Sequence, residues 1–339
     1  MSLKVKEVND KNIWERFVLS QSPNIFLQSW HWGEFHHLLG RKTFRLGLYK
    51  REELIGVALL IKEKAKRGDY LTCPGGPLLK NWSLENLQPL VDKMTSLGRD
   101  EGDLFLRVRP SVLETEENLN LFAKVGFRSA PMHMHAETTW QLDLGPSEEE
   151  LLSGMRKTTR YCVRRAARDG VEVFQSQKVE DIAVLDRLQQ EAVERHKFVP
   201  FSREFLKTQF QEFVKDNQAV IFLAEYQKQI LSAAMIIFYG DMAVYHYSGT
   251  SSLQPKIFSS YLLQWEVIKE AKRRGCRIYN FWGIAPTDDP KHRFAGVTTF
   301  KKGFGGKRVD YLHARDYPLS PLYWPTFVFE SLRRMRRRL

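Results

Sequence analysis

The sequence predicts an α/β protein with mixed sheets, built from two copies of one module. Residues 46–61 and residues 222–237 share a hairpin pattern: an apolar strand, a short polar turn, and a second strand with small residues in its first half. In both halves a third strand, a helix and a short strand follow. The order strand, strand, strand, helix, strand therefore occurs twice, which indicates duplication of one module.

Apolar periodicity places the remaining elements in the same order in each half. In the first half, helices precede the hairpin and a strand, a helix and a strand follow it, at residues 12–19, 30–39, 69–73, 84–97 and 104–107. The corresponding elements of the second half are at residues 182–195, 203–214, 243–248, 260–274 and 277–281. We expect one domain at 1–142, a second at 143–312, and a C-terminal segment at 313–339 that packs on the first domain.

Composition limits the class of protein. The chain has 339 residues, of which 43% are hydrophobic, enough for one large or two ordinary domains. No apolar run approaches the roughly 20 residues that span a bilayer, and residues 1–12 lack a secretory signal pattern, so we expect a cytoplasmic protein. Cys73, Cys162 and Cys276 are far apart, which favours reduced thiols and neither a metal site nor a disulfide.

The net charge of +12 predicts an anionic partner, and part of it is concentrated in one predicted helix near residues 155–170. Apolar residues recur there at helical spacing beneath a broad cationic face. The cations of this helix are Arg156, Lys157, Arg160, Arg164, Arg165 and Arg168. We interpret the face as a contact for phosphates, with a solvated surface as the alternative.

Five segments carry a family resemblance. They contain Gln28 and its neighbouring tryptophans, the strand at 140–144, the tyrosine pair at 245–250, and residues 279–284 and 296–304. Their order and spacing resemble the FemABX peptidyltransferase family over nearly the whole chain. The resemblance implies two tandem GNAT-like acyltransferase domains with a substrate channel at their junction. The chain has no long heptad segment, so it is similar to the members without a coiled-coil arm.

The resemblance also implies a function: transfer of an amino acid from aminoacyl-tRNA to a muropeptide or lipid II acceptor, in formation of the interpeptide bridge. GNAT modules that use acyl-CoA have a glycine-rich turn before the main helix. Residues 253–260 have no glycine, and the glycines of 74–81 are flanked by prolines. An N-acyltransferase using acyl-CoA or acyl carrier protein, or a non-catalytic basic module that binds RNA or membrane, remain as alternatives.

Attack of an amine on an aminoacyl ester needs positioning and oxyanion stabilisation, but no cofactor, metal or protein nucleophile. By the resemblance, Lys301, after Phe300, is the first catalytic candidate. We expect it near a strand end, with Lys302 on the opposite face; the alternative is an exposed lysine. Tyr245 and Tyr247 are two apart on a predicted strand, which places both hydroxyls on one face as acceptor ligands. Two core tyrosines are the alternative.

Four further residues are candidates for binding the acceptor. By the resemblance, Arg203 and His36 are near positions that hold the acceptor phosphate, although Phe201 takes the usual place of the arginine in one register. A neutral His36 packed on its helix is the alternative. Arg107 and Arg109 alternate along a strand end, where they line the channel or form a surface pair.

The C-terminal segment predicts a basic amphipathic helix. Val328, Leu332, Met335 and Leu339 fall on one helical stripe, and arginines occupy other positions. This pattern is typical of a helix that lies on an anionic membrane surface, which a lipid-linked acceptor would make useful. A helix that packs on the first domain is the alternative.

Overall fold

The computed structural model describes residues 3–196 and 200–337. Its strands, in chain order, are β1 (Leu3–Glu7), β2 (Thr43–Lys50), β3 (Glu53–Glu63), β4 (Tyr70–Gly75), β5 (Leu78–Leu79), β6 (Phe105–Pro110), β7 (Arg128–Ser129), β8 (Thr138–Asp143), β9 (Glu172–Ser176), β10 (Ala219–Tyr226), β11 (Gln229–Tyr239), β12 (Met242–Thr250), β13 (Ile278–Gly283), β14 (Lys307–Asp310) and β15 (Arg315–Pro318). The helices are α1 (Lys11–Ser20), α2 (Trp30–Leu38), α3 (Leu84–Asp100), α4 (Glu116–Lys124), α5 (Glu148–Gly154), α6 (Lys157–Arg168), α7 (Ile182–His196), α8 (Arg203–Val214), α9 (Ser259–Arg273), α10 (Ala295–Lys302) and α11 (Tyr323–Arg337).

The chain forms two compact units. The first contains residues up to Glu137 together with those from Asp310 onward, and the second contains Thr138–Val309. The sequence placed the boundaries at 142 and 312. Residues 338 and 339, the end of the predicted C-terminal segment, lie outside the described residues.

The sheet of the first unit has the strand order β1-β2-β3-β4-β6-β15-β7, with β5 paired to β3. The pair β4–β6 is parallel, because α3 connects the two strands as a crossover. Ser83 caps α3 through the N–H of Asn86, and the buried residues of α3 recur at three- and four-residue steps: Leu87, Leu90, Val91 and Met94. This spacing turns one face of the helix to the core of the unit.

The sheet of the second unit repeats the arrangement, in the order β9-β10-β11-β12-β13-β8-β14. Here α9 makes the crossover and β12–β13 is the parallel pair. The predicted order of three strands, a helix and a strand is thus present in both units. The second strand of each parallel pair has an antiparallel neighbour from elsewhere in the chain: β15 beside β6, and β8 beside β13.

The helix α11 belongs to the first unit. Within the described residues, no helix combines the length and the apolar character that crossing a bilayer requires.

Candidate active site

The candidate site of the second unit lies where β12 and β13 separate. The two strands pair only from Met242 to Val244, opposite Ile278 to Asn280. Beyond that point both strands are irregular: the register of β12 shifts against β11, and that of β13 shifts against β8. Trp282 has a φ of 66°, a left-handed conformation that is a rare and strained state for a bulky residue. Such strain persists where surrounding structure holds it, often at functional sites.

The shift in β12 separates the two candidate tyrosines. Tyr245 is opposite Ile236 and Tyr247 is opposite Met235, so His246 is the additional residue of a bulge. Ile236 and Met235 are adjacent, and adjacent strand residues point to opposite faces. The prediction that Tyr245 and Tyr247 share one face is therefore wrong.

Tyr245 lies on the core face. It packs on the hydrophobic core of the second unit. Its hydroxyl is hydrogen-bonded with Ser248 and Gln264, and burial raises its pKa to about 12. The hydroxyl of Tyr279 donates to Gln264 Oε1 at 2.8 Å, which extends this buried polar network. Tyr245 is thus a supporting residue beneath the separation of the strands.

Tyr247 lies on the other face, in a row of rings. The edge of its ring meets Phe201 at 5.4 Å, and Phe201 stacks on Phe205 at 4.5 Å. On its other side Tyr247 contacts His246 at 4.0 Å, and His246 meets Trp282 at 5.5 Å. Phe201 is 49% exposed, so this aromatic row runs from the surface of the unit to the strained Trp282.

Lys301 lies on α10, not on a strand. Consecutive helical residues are about 100° apart, so Lys301 and Lys302 are not on opposite faces. Lys301 is only 6% exposed, and its Nζ donates to the carbonyl of Gly283 at 2.6 Å. The ring centroid of Tyr245 is 5.9 Å from Nζ. Lys302 is half-buried and pairs with Asp288 at 2.7 Å.

The environment of Lys301 changes its protonation. Burial lowers the pKa of Lys301 to about 7. An amine with this pKa exists in both forms near neutrality, as a donor and as a base. Phe300 positions the helix that carries it: its ring meets the edges of Tyr261 at 4.9 Å and Phe304 at 5.2 Å.

Arg203 is exposed in the first turn of α8, where Ser202 caps the helix. Phe201, and not Arg203, lies in the aromatic row beside Tyr247. The sequence left open whether Arg203 or Phe201 takes the family's arginine position. In the structure, the ring of Phe201 lies beside Tyr247, and Arg203 is exposed on α8.

The cations of α6 divide into two groups. Arg160 donates to the carbonyls of Ser153 and Met155 at 2.5 and 2.6 Å, so it fastens the end of α5. Arg165 pairs with Asp169 at 2.7 Å. Arg156 is exposed, with its Nη1 3.4 Å from the carbonyl of Thr299. Three exposed residues at steps of seven and four lie on one side of the helix, and we call them the basic face: Lys157, Arg164 and Arg168.

The structure of the first unit buries both Arg107 and Arg109. Arg107 is neither at the surface nor available to a ligand: it is 4% exposed, binds Asp316 through two hydrogen bonds of 2.7 and 2.8 Å, and binds Glu330 at 2.7 Å. Arg109 is 1% exposed, and burial lowers its pKa. A surface pair is therefore excluded.

His36 packs inside the first unit. Its ring meets Trp32 at 4.9 Å, and its Nδ1 lies 3.0 Å from Nη1 of Arg41. Burial, then the charge of Arg41, lowers the pKa of His36 well below its ordinary value. The imidazole is neutral near pH 7 and offers no positive charge to a phosphate, as in the packed alternative.

Gly76, in the segment 74–81, packs against the side chain of Gln28. The carboxamide of Gln28 lies over Gly76, where an added Cβ would approach within 2.6 Å of it. Gln28 donates to the carbonyl of Pro74 at 2.7 Å and accepts from the N–H of Leu59 at 2.8 Å. The side chain of Gln28 thus occupies the space beside this glycine.

One polar cluster was missed by the sequence analysis. Glu137 Oε2 lies 2.5 Å from Nδ1 of His133 and 2.7 Å from Nδ1 of His313, and Oε1 accepts from the N–H of Ala314 at 2.9 Å. Among the described residues, these two histidines and Glu137 form the group that could hold a metal ion. The separation of His313 from the others in sequence concealed it.

Comparison with known proteins extends these observations. A family model described as the FemAB family matches residues 10–229 and 222–329. A lipid II:glycine glycyltransferase of Staphylococcus aureus strain COL is 21% identical, over 91% of this chain and 92% of that protein. The crystal structure of FemX superposes with a TM-score of 0.86 at 18% identity, covering 95% of this chain and 99% of FemX.

A tandem GNAT protein from the clavulanic acid biosynthesis pathway superposes with a TM-score of 0.61 at 11% identity, covering 94% of this chain and 99% of that protein. These similarities confirm the predicted fold class, a mixed α/β protein with two GNAT-like modules.

Proposed function

The chain belongs to the FemAB family and is an aminoacyltransferase, and from this premise we propose that it transfers an amino acid from aminoacyl-tRNA to the peptide stem of lipid II or a related muropeptide. The product is the acceptor extended by one amino acid, which becomes a residue of the interpeptide bridge. The similarity to a lipid II:glycine glycyltransferase supports the acceptor class. The observation that carries the proposed chemistry is the buried Lys301, whose pKa is about 7, at the separation of β12 and β13.

The reaction requires one bond to form and one to break. The acceptor amine attacks the carbonyl carbon of the ester, the new C–N bond forms, and the C–O bond to the tRNA ribose breaks. The amine loses a proton and the ribose oxygen gains one. In our proposal, neutral Lys301 accepts the proton of the amine, its protonated form stabilises the tetrahedral oxyanion, and it then gives this proton to the departing ribose oxygen, which returns Lys301 to its neutral form. The carbonyl of Gly283 orients Nζ for both roles.

The basic face of α6 supports tRNA as the donor. Its three exposed cations, seven and four residues apart, suit the phosphates of an A-form RNA helix, which proteins recognise by shape and charge. The acceptor is expected to use the aromatic row around Tyr247. A lipid-linked acceptor would place the enzyme in the cytoplasm, at the inner face of the membrane.

The test uses purified full-length protein, a pool of charged tRNAs, and lipid II. We expect mass spectrometry to show lipid II increased by the mass of one aminoacyl residue, dependent on charged tRNA. Lys301→Met should abolish this product, whereas Lys302→Met is the matched control. Transfer from acyl-CoA but not from charged tRNA, or no transfer from either donor, would overturn the proposal.

A further inference from the structure

Helix α11 is fixed to the first unit by one of its faces. Tyr323 is fully buried, and its hydroxyl lies 3.2 Å from Asp316 Oδ2. One and two turns further, Thr326 is buried and Glu330 accepts from Arg107 at 2.7 Å. The ring of Phe327 contacts Tyr323 at 5.6 Å. Because ion pairs and aromatic contacts hold this inner face, the orientation of the helix about its axis is determined.

The opposite face of α11 is apolar and open to solvent. Four residues at steps of four, four and three form what we call the outer stripe: Trp324, Val328, Leu332 and Met335. Their exposed fractions are 45%, 54%, 57% and 67%. The predicted apolar stripe is therefore exposed, although the helix packs on the first unit by its other face. Leu339 lies outside the described residues.

Exposed apolar side chains occur singly on most proteins, but a continuous row on one helix marks an interaction surface. Leu322, just before the helix, adds to the row at 64% exposure. Phe329, at 41%, lies beneath the guanidinium of Arg67 at 3.3 Å.

The exposed charged residues of α11, within its described side chains, are cations. Arg333 and Arg336 are exposed in the last turns of α11, and the guanidinium of Arg128 lies over the ring of Trp324 at 4.6 Å. Glu330 is the acid of this helix, and it faces inward to Arg107. A solvent-facing apolar row on a helix whose exposed charges are arginines matches a helix that lies in the headgroup region of an anionic bilayer.

We propose that the outer stripe docks the enzyme on a bilayer containing anionic phospholipids, with Arg333 and Arg336 binding lipid phosphates. A second copy of the chain is a poorer occupant, because it would add further exposed arginines, whereas the acid of α11, Glu330, is already paired with Arg107. The membrane surface supplies both the apolar layer and the negative charge. This docking would serve the proposed use of lipid II, but the surface is defined by the contacts of α11 alone.

The experiment measures binding of full-length protein to vesicles of phosphatidylcholine with about 30% phosphatidylglycerol, by co-sedimentation. Val328→Glu with Leu332→Glu should weaken binding at least about tenfold, because charges replace the inserted side chains. The matched control is Leu113→Glu, at a position 54% exposed outside the helix. Arg333→Gln with Arg336→Gln should remove the preference for phosphatidylglycerol over pure phosphatidylcholine.

Thermal melting identifies any variant that fails to fold. If the glutamate pair leaves vesicle binding unchanged, the proposal is overturned. It is also overturned if the protein ignores vesicles and self-associates through the stripe, as judged by sedimentation velocity. Transfer to a soluble muropeptide, measured in the same preparations, should be equal in the parent and the glutamate pair. Absence of transfer in the parent would refute the proposed function and leave the docking result intact.

Discussion

Replacing Lys301 with methionine should make the protein more stable and less active. Met has a similar length and an apolar, adaptable side chain, so it fills the same space without a charge. Lys301 is buried, and burial lowers its pKa from 10.5 to about 7. The folded state therefore pays a free-energy cost for holding the protonated amine, and Lys301→Met removes that cost.

The magnitude follows from the pKa. A displacement from 10.5 to about 7 corresponds to about 5 kcal/mol, at about 1.4 kcal/mol for each pKa unit. Loss of the hydrogen bond to the carbonyl of Gly283 opposes this gain by roughly 1.5–3 kcal/mol. We expect a net increase of roughly 2–3.5 kcal/mol in the free energy of unfolding at pH 6.

The stability gain of Lys301→Met depends on pH. Between the folded pKa of about 7 and the unfolded value of 10.5, the unfolded state binds more protons, so the parent gains stability as pH rises. The advantage of Lys301→Met is therefore greatest below pH 7 and decreases towards pH 10.5. Urea denaturation of parent and variant at several pH values measures this stability difference. Steady-state transfer to lipid II at pH 7 measures the loss of turnover. We expect a loss of about 100-fold or more, the size typical of removing one oxyanion donor.

Lys302→Met is the matched control, because Lys302 is half-buried and its charge is paired with the exposed Asp288. It should change neither stability nor turnover appreciably. The reasoning is refuted if Lys301→Met unfolds at lower urea concentration than the parent at pH 6, or if the folded variant retains full turnover.

Three other predictions concern the tyrosines, α6 and the polar cluster. Tyr245→Phe should cost about 1 kcal/mol of stability through lost hydrogen bonds, whereas Tyr247→Phe should raise the acceptor KM at unchanged melting temperature; the reverse pattern would exchange their roles. Charge reversal of the basic face should raise the KM for aminoacyl-tRNA. It should also reduce the slope of log K for RNA binding against log salt concentration by roughly 0.7–0.9 per lost phosphate contact; an unchanged slope would mean that the basic face is only solvated charge. Burial raises the pKa of Glu137, but the hydrogen bonds with His133 and His313 outweigh it and lower this pKa to about 2, so the stability that these bonds contribute is present above pH 4.5 and lost as pH falls towards 2. Burial lowers the pKa of His313, but hydrogen bonding to Glu137 outweighs it and raises this pKa. The stability that protonated His313 contributes is therefore present below pH 6.5 and lost as pH rises. Denaturation across pH should show that Glu137→Gln destabilises most between 4.5 and 6.5; a uniform loss would contradict the titration.

The fold could be predicted from the sequence because its signals are local. Apolar periodicity and turn residues determine each hairpin and helix, and the repeated order of elements indicated the duplication. The site depends on features that are not local. The bulge at His246, which turns Tyr245 and Tyr247 to opposite faces, arises from pairing with β11 and has no signature in the alternating sequence.

Tertiary packing also overrode two local interpretations. The β-branched residues before Lys301 favour a strand, yet they belong to α10, and Phe300 of this helix packs on the core together with Phe304 just beyond the helix end. Arg107 alternates with Arg109 like a pair of ligand residues, but its partner Asp316 is 209 positions away. Only the folded chain shows that its charge is already neutralised.

The position of β15 has a consequence for synthesis on the ribosome. This strand lies between β6 and β7 in the first sheet, but it is translated after the whole second unit. All the strands of the second unit, apart from the last residue of β14, come from one continuous stretch, so that unit can fold before the N-terminal one is finished. Until residues 315–318 emerge, the nascent first sheet has an open edge at β6, where it is open to wrong pairing with other chains. The half of the protein that is made first is therefore completed last.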